Sequence, residues 1–87
     1  MKAIPGSAVV TKKGVVISMY LEHGRSDPYL ILSTDEEELL VIANTGKGVD
    51  LLDHLRDAVR VRGCVRSDEK GRKVIVVRDY EIIQRLG

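Results

Sequence analysis

Five β-type runs, with one helical segment between the third and the fourth, constrain the fold of this chain most. The runs cover residues 8–22, 29–34, 39–44, 59–66 and 74–83, and polar or glycine-containing breaks separate them. Residues 49–58, VDLLDHLRDA, fit a short helix because Val49, Leu52 and Leu55 share one face. Gly14 interrupts the long first run, and a glycine inside a strand pattern predicts a bulge or a sharp bend.

This order predicts an all-β fold with one short helix, namely a five-stranded OB-fold Greek-key barrel with the helix between strands three and four. In such a barrel a bent first strand pairs with both halves of the sheet, as the bend at Gly14 allows. The helix would close one end of the barrel, so we expect Leu52 and Leu55 to be buried there. An SH3-like barrel is the alternative, but it has no helix at this place in the order.

The length and the composition favour one domain, residues 1–87, with a core over about 8–83. No apolar run approaches the roughly 20 residues that span a membrane. Residues 1–5 lack the apolar region of a signal peptide, which favours a cytoplasmic protein, or a periplasmic one if a signal peptide has been removed. A single cysteine, Cys64, gives neither a disulfide framework nor a zinc-binding spacing, and we expect no cofactor and no metal.

Three segments of the sequence resemble small bacterial OB-fold domains of the nucleic-acid-binding, anticodon-binding-like type. They are GVVISMY near the start, VRVRGCV before a polar hairpin turn and GRKVIVVRDYEII near the end, within residues 8–83. The resemblance implies an architecture rather than an activity, because this fold binds oligonucleotides, oligosaccharides and proteins alike. It implies no particular functional residue.

The charges are strongly segregated along the chain. Residues 35–57 carry seven acids and two bases, for a net charge of −5, whereas residues 60–78 carry seven bases and two acids, for a net charge of +5. Along strand four, arginines alternate with Val59, Val61 and Val65, which predicts valines inside the barrel and arginines outside. The outer arginines could bind phosphates, or they could be the polar outer face that an antiparallel strand needs.

The first interpretation predicts weak, salt-sensitive and sequence-tolerant binding of single-stranded DNA or RNA through basic loops, with Tyr29 as a stacking platform. The predicted nucleic-acid-binding residues are His23, Arg25, Tyr29, Arg62, Arg66, Lys70, Arg72 and Lys73.

Continuous apolar runs in strands two, three and five support an alternative, an interface with another protein or with a second copy. Such runs suggest strands that are covered on both faces. In an OB barrel these strands are neighbours, so their outer side chains would form one apolar patch. The predicted interface residues are Ile31, Val41 and Val76, although Val74, Ile75 and Val77 are further candidates on strand five.

The remaining polar residues predict neither a metal site nor a catalytic site. The DEEE run, residues 35–38, lies in a predicted turn and lacks the spacing of a calcium loop. His54 is expected to bond Asp50 or Asp57 along the helix, and Cys64 is expected to be an inert thiol rather than a reactive one. No motif assembles a nucleophile, a base and an acid, so we expect a binding module and not an enzyme.

Overall fold

The computed structural model describes residues 9–21, 24 and 27–86. These residues form a mostly β structure with one short helix. The strands are β1, Val9–Met19; β2, Tyr29–Thr34; β3, Leu39–Ile42; β4, Ala58–Ser67; and β5, Lys73–Gln84. A 3₁₀ helix, Gly46–His54, lies between β3 and β4, so the predicted order of elements is confirmed. No helix in the described residues has the length and apolar character needed to cross a membrane.

The five strands form one closed sheet in the order β1-β2-β3-β5-β4, and β4 pairs back with β1. All neighbouring strands are antiparallel except β3 and β5, which are parallel and are paired at Val41–Val74 and Ile42–Ile75. The parallel pair requires a crossover, and the segment that contains the 3₁₀ helix and β4 provides it. The predicted neighbourhood of strands two, three and five is therefore confirmed.

Gly14 lies where the pairing of β1 with β2 overlaps its pairing with β4. Gly14 is paired with Thr34 of β2 and with Val59 of β4, and Val15 likewise has a partner on each of these strands. A Cβ atom at Gly14 would stand 2.1 Å from the carbonyl oxygen of Ser33, far inside van der Waals contact. Only a residue without a side chain allows this close approach, which explains the glycine in the middle of a β-branched run.

The interior of the closed sheet is a core of branched aliphatic side chains. Val59 and Val61 point into it with no exposed surface, whereas Arg60 and Arg62 are exposed on the outer face, as their alternation predicts. The other members come from every strand and from the helix: Val16, Leu32, Leu40, Ile42, Leu51, Ile75 and Val77.

The helix contradicts the prediction for its leucines. Leu52 is 60% exposed and Leu55, just after the helix, is 39% exposed, whereas Leu51 is fully buried in the core. In the 3₁₀ geometry residues three apart lie on the same line along the helix, and packing against the strands selects which line is buried. Gly48 and Leu51 are on the line that faces the core, and Val49 and Leu52 are on a line that faces away from it. The predicted apolar face of Val49, Leu52 and Leu55 therefore points away from the core, and the prediction that it is buried is wrong.

A second apolar cluster, the outer cluster, lies on the outside of β2, β3 and β5. Its buried members are Ile31, Val41 and Val74, and Tyr29 packs against them together with half-buried residues of β1. Val74, one of the further candidates on β5, belongs to this cluster, whereas Val76 is half-buried and outside it. Ile31 is 1% exposed within the single chain, so the expected patch exists but the chain itself covers it. The interface through these residues stays a prediction.

His54 makes the local bond expected of it. Its Nδ1 lies 3.2 Å from Oδ2 of Asp57, and its ring is tilted against that of Tyr80, with 5.7 Å between the centroids. Asp57 is buried and also accepts a hydrogen bond from the backbone N–H of Leu86 through its Oδ1. This carboxylate thus joins the end of the helix to the segment that follows β5.

We predict that Leu51→Ala lowers the free energy of unfolding by about 2–5 kcal/mol, because it leaves a cavity in the core. The matched variant Leu52→Ala should change it by no more than about 0.5 kcal/mol, as exposed substitutions do. Urea unfolding followed by circular dichroism measures both. Equal losses of unfolding free energy in the two variants would contradict the assignment of Leu51 to the side of the 3₁₀ helix that faces the core.

Candidate functional site

The arginine row of β4 is half neutralised by acids on the neighbouring strand. Arg60 stands opposite Glu81 and forms an ion pair of 2.9 Å with it. Arg62 stands opposite Asp79, and its Nε donates to both carboxylate oxygens at 3.1 and 3.2 Å. These exposed pairs contribute little stability, but each places a carboxylate beside the arginine that a phosphate would contact. The first half of the row is therefore a ladder of cross-strand ion pairs.

Arg66 differs from Arg60 and Arg62. It is exposed near the end of β4, stands opposite Val74, and has no acid to face on β5. Within the described residues it forms no ion pair. The uncompensated positive charge of the row thus lies close to the turn between β4 and β5.

That turn is held by the carboxylate of Asp68. Its Oδ1 accepts hydrogen bonds from the backbone N–H groups of Lys70 and Arg72, at 2.8 and 2.9 Å, and its Oδ2 accepts one from Nε of Arg72 at 3.0 Å. Gly71 has a positive φ, 80°, which a glycine adopts without steric cost. The hydrogen bond from the backbone N–H of Arg72 is the main reason why the pKa of Asp68 lies below its usual range. The turn consequently presents Lys70 at an ordered tip.

Arg72 connects this turn to the start of β2. Its guanidinium carbon lies 4.9 Å from the centroid of the Tyr29 ring, which is cation–π geometry. Tyr29 itself packs on the outer cluster, so the ring rests on a buried apolar base. The guanidinium of Arg72 thus lies over the Tyr29 ring on the outer face of the sheet, and Arg66 and Lys70 belong to the same β4–β5 hairpin as Arg72.

The acidic turn between β2 and β3, residues 35–38, forms ion pairs with lysines of β1 and β5. Lys12 donates hydrogen bonds to Glu36 and Glu38, at 3.2 and 3.0 Å, and Lys73 lies 3.8 Å from Glu38. Asp35 pairs with Lys13 at 3.7 Å. The hydrogen bond from Lys12 is the main reason why the pKa of Glu38 is lowered. Lys73, one of the predicted binding residues, therefore has part of its charge compensated.

The structure brings together only some of the predicted binding residues. Tyr29 and Arg72 are in contact, and Lys70 and Arg66 belong to the same hairpin end, whereas Arg62 and Lys73 are engaged with acids. His23 and Arg25 lie outside the described residues. Sequence reasoning missed Asp68 as the organiser of the turn, although an Asp at the start of a polar turn is a recognisable signal.

A groove of about 410 Å³ lies beside Tyr29, where the start of β2, the end of β3 and the 3₁₀ helix meet. Its lining is mainly apolar and includes Leu30, Ala43, Val49 and Leu52. Elsewhere in the described ranges, no group of three His, Cys, Asp or Glu residues is placed to hold a metal ion.

Comparison of the chain with models of protein families, with curated proteins and with solved structures finds no match.

We predict that Asp68 makes the stability of the protein depend on pH in the acid range. Because folding lowers the pKa of this carboxyl, its contribution is present above the ordinary carboxyl pKa and is lost as the pH falls below about 4. The stability difference between the wild type and Asp68→Asn, measured by urea unfolding, should therefore shrink between pH 6 and pH 2.5. Asp53→Asn is the matched control, since Asp53 is exposed and makes no ion pair with a described residue. Parallel pH profiles of the wild type and Asp68→Asn would contradict this role.

Proposed function

We propose that the chain is a non-catalytic OB-fold binding module that holds single-stranded nucleic acid weakly and with little sequence preference. The architecture supports the first part of this proposal. A bent β1 shared by two neighbours, a parallel β3–β5 pair, and a helix between β3 and β4 agree with the strand order of an OB-fold.

The observation that carries the second part is the stack of Arg72 on Tyr29. Bases stack on aromatic rings and on guanidinium planes, and stacking on such a platform contributes about 1–3 kcal/mol per base whatever the base is. The platform lies on the outer face of β2, between the loops that usually flank the ligand in OB-folds. A nucleotide strand that crosses it would pass close to Arg66 and Lys70.

Because some of the basic side chains already form ion pairs, we expect fewer of them to contact phosphates strongly. Arg62 and Lys73 already face acids, so we assign the main electrostatic contribution to Arg66, which forms no ion pair with a described residue, and smaller ones to the other cations. With so few phosphate contacts, affinity should be low and its dependence on salt shallow, because the slope grows with the number of contacts. The alternative interface through Ile31 and Val41 is disfavoured by the burial of both side chains within the chain.

Fluorescence anisotropy with a labelled 15-nucleotide oligo-dT strand, over a series of salt concentrations, tests the proposal. Each phosphate contact on a single strand contributes about −0.7 to the slope of log affinity against log salt. Arg66→Gln should therefore flatten the slope by roughly 0.7. Arg62→Gln, the matched control, should flatten it much less because Asp79 compensates that charge.

Tyr29→Leu should weaken binding about tenfold, which corresponds to the loss of one stacked base, while the slope changes little because stacking releases few ions. Leu keeps the apolar contact with the outer cluster, and circular dichroism confirms that the variant is folded. Absence of detectable binding by the wild type at low salt would overturn the proposal, and so would equal slopes in Arg66→Gln and the wild type.

A further inference from the structure

The groove beside Tyr29 is bordered by an apolar ridge on the 3₁₀ helix. Val49 and Leu52 are three residues apart and therefore lie on one line along the helix, where they are 47% and 60% exposed. Leu55, immediately after the helix, is a further exposed aliphatic residue. The opposite wall of the groove is formed by the start of β2 and by Ala43 after β3. Two apolar walls thus face each other across a concave surface.

The helix also places carboxylates next to this ridge. Asp50 and Asp53 each follow a ridge residue, so they share a second line that lies a third of a turn away. Both are exposed, and neither forms an ion pair or a hydrogen bond with a described residue. Asp27 lines the groove itself. Lys47 is the one lysine or arginine in the helix, so Asp50 and Asp53 outnumber it there.

We propose that this groove binds a short segment of another protein that carries one or two aliphatic side chains flanked by Lys or Arg. The aliphatic side chains would enter between the ridge and Ala43, where apolar anchors are desolvated on binding. The flanking cations would face Asp50 and Asp53, which complement them in charge and orient the segment.

Size and charge favour this occupant over the others. A stable dimer of two folded copies buries about 800 Å² on each partner, whereas a groove of this volume accepts only a few side chains. Phosphates would be repelled by Asp50 and Asp53. The inference goes beyond the proposed function because it depends on the helix ridge and its aspartates, which the proposed nucleic-acid site does not use, although Tyr29 borders both sites.

The experiment is a titration of the isotopically labelled protein, followed by amide NMR spectra, with a synthetic capped peptide of sequence KLVLK. We expect saturable shifts at the amides of Ala43, Asn44, Val49 and Leu52, with a dissociation constant on the order of 1 mM or tighter. The peptide ELVLE, with the same apolar centre, should bind at least tenfold more weakly.

Variants of exposed residues test the apolar ridge and the aspartates separately. Leu52→Glu should weaken binding of KLVLK at least tenfold, whereas Leu39→Glu should leave it unchanged. Leu39 is a matched control because it is 51% exposed and does not line the groove. The double variant Asp50→Lys, Asp53→Lys should reverse the preference, so that ELVLE binds more tightly than KLVLK.

Several outcomes would overturn the proposal. They are the absence of groove shifts at several millimolar peptide, equal binding of the two peptides, and unchanged binding by Leu52→Glu. Groove shifts that grow with protein concentration alone would show that a second copy is the occupant. Groove shifts caused by oligo-dT, and not by KLVLK, would assign the groove to nucleic acid.

Discussion

The double pairing of β1 at Gly14 and Val15 is the constraint on which the closed sheet depends. Each of these two residues has a partner on β2 and a partner on β4, and a Cβ at Gly14 would overlap the carbonyl of Ser33. Because β1 can serve two neighbours, β2 and β4 both find a partner, and the sheet closes without an unpaired edge. Closure in turn defines an interior, and branched aliphatic residues alone fill it. A similar close approach occurs at Gly63, where a Cβ would stand 2.1 Å from the carbonyl oxygen of Val76.

Strand positions were predictable from the sequence to within a few residues because the signals for them are local. A run such as YLILST is bounded by polar residues, and its observed limits, Tyr29–Thr34, are the predicted ones. The helix was less predictable, because an apolar spacing of three suits both an α-helix and a 3₁₀ helix. Which line of residues faces the core is decided by non-local packing, and here Leu51 occupies the core in place of Leu52.

The net charge of residues 60–78 overstates the positive charge of the surface that these residues form. Residues 60–78 carry a net charge of +5, but extending the window to residue 81 adds Asp79 and Glu81 and reduces it to +3. Those two acids stand directly opposite Arg62 and Arg60. This register could not be counted reliably from the turn, because an irregularity between Arg62 and Gly63 shifts the pairing by one residue. Only the structure therefore separates the compensated arginines from Arg66.

The continuous apolar runs in β2, β3 and β5 contribute to two apolar clusters, one on each face of the sheet. Leu32, Leu40 and Ile75 fill the interior, whereas Ile31, Val41 and Val74 form the outer cluster on the opposite face. The outer cluster supports Tyr29, and Tyr29 both carries the guanidinium of Arg72 and lines the groove beside the helix. A ring fixed on a buried base loses little conformational freedom when a ligand reaches it, which lowers the cost of binding. The apolar residues that look like an exposed interface in the sequence thus act as the rigid base of the surface on which binding is proposed.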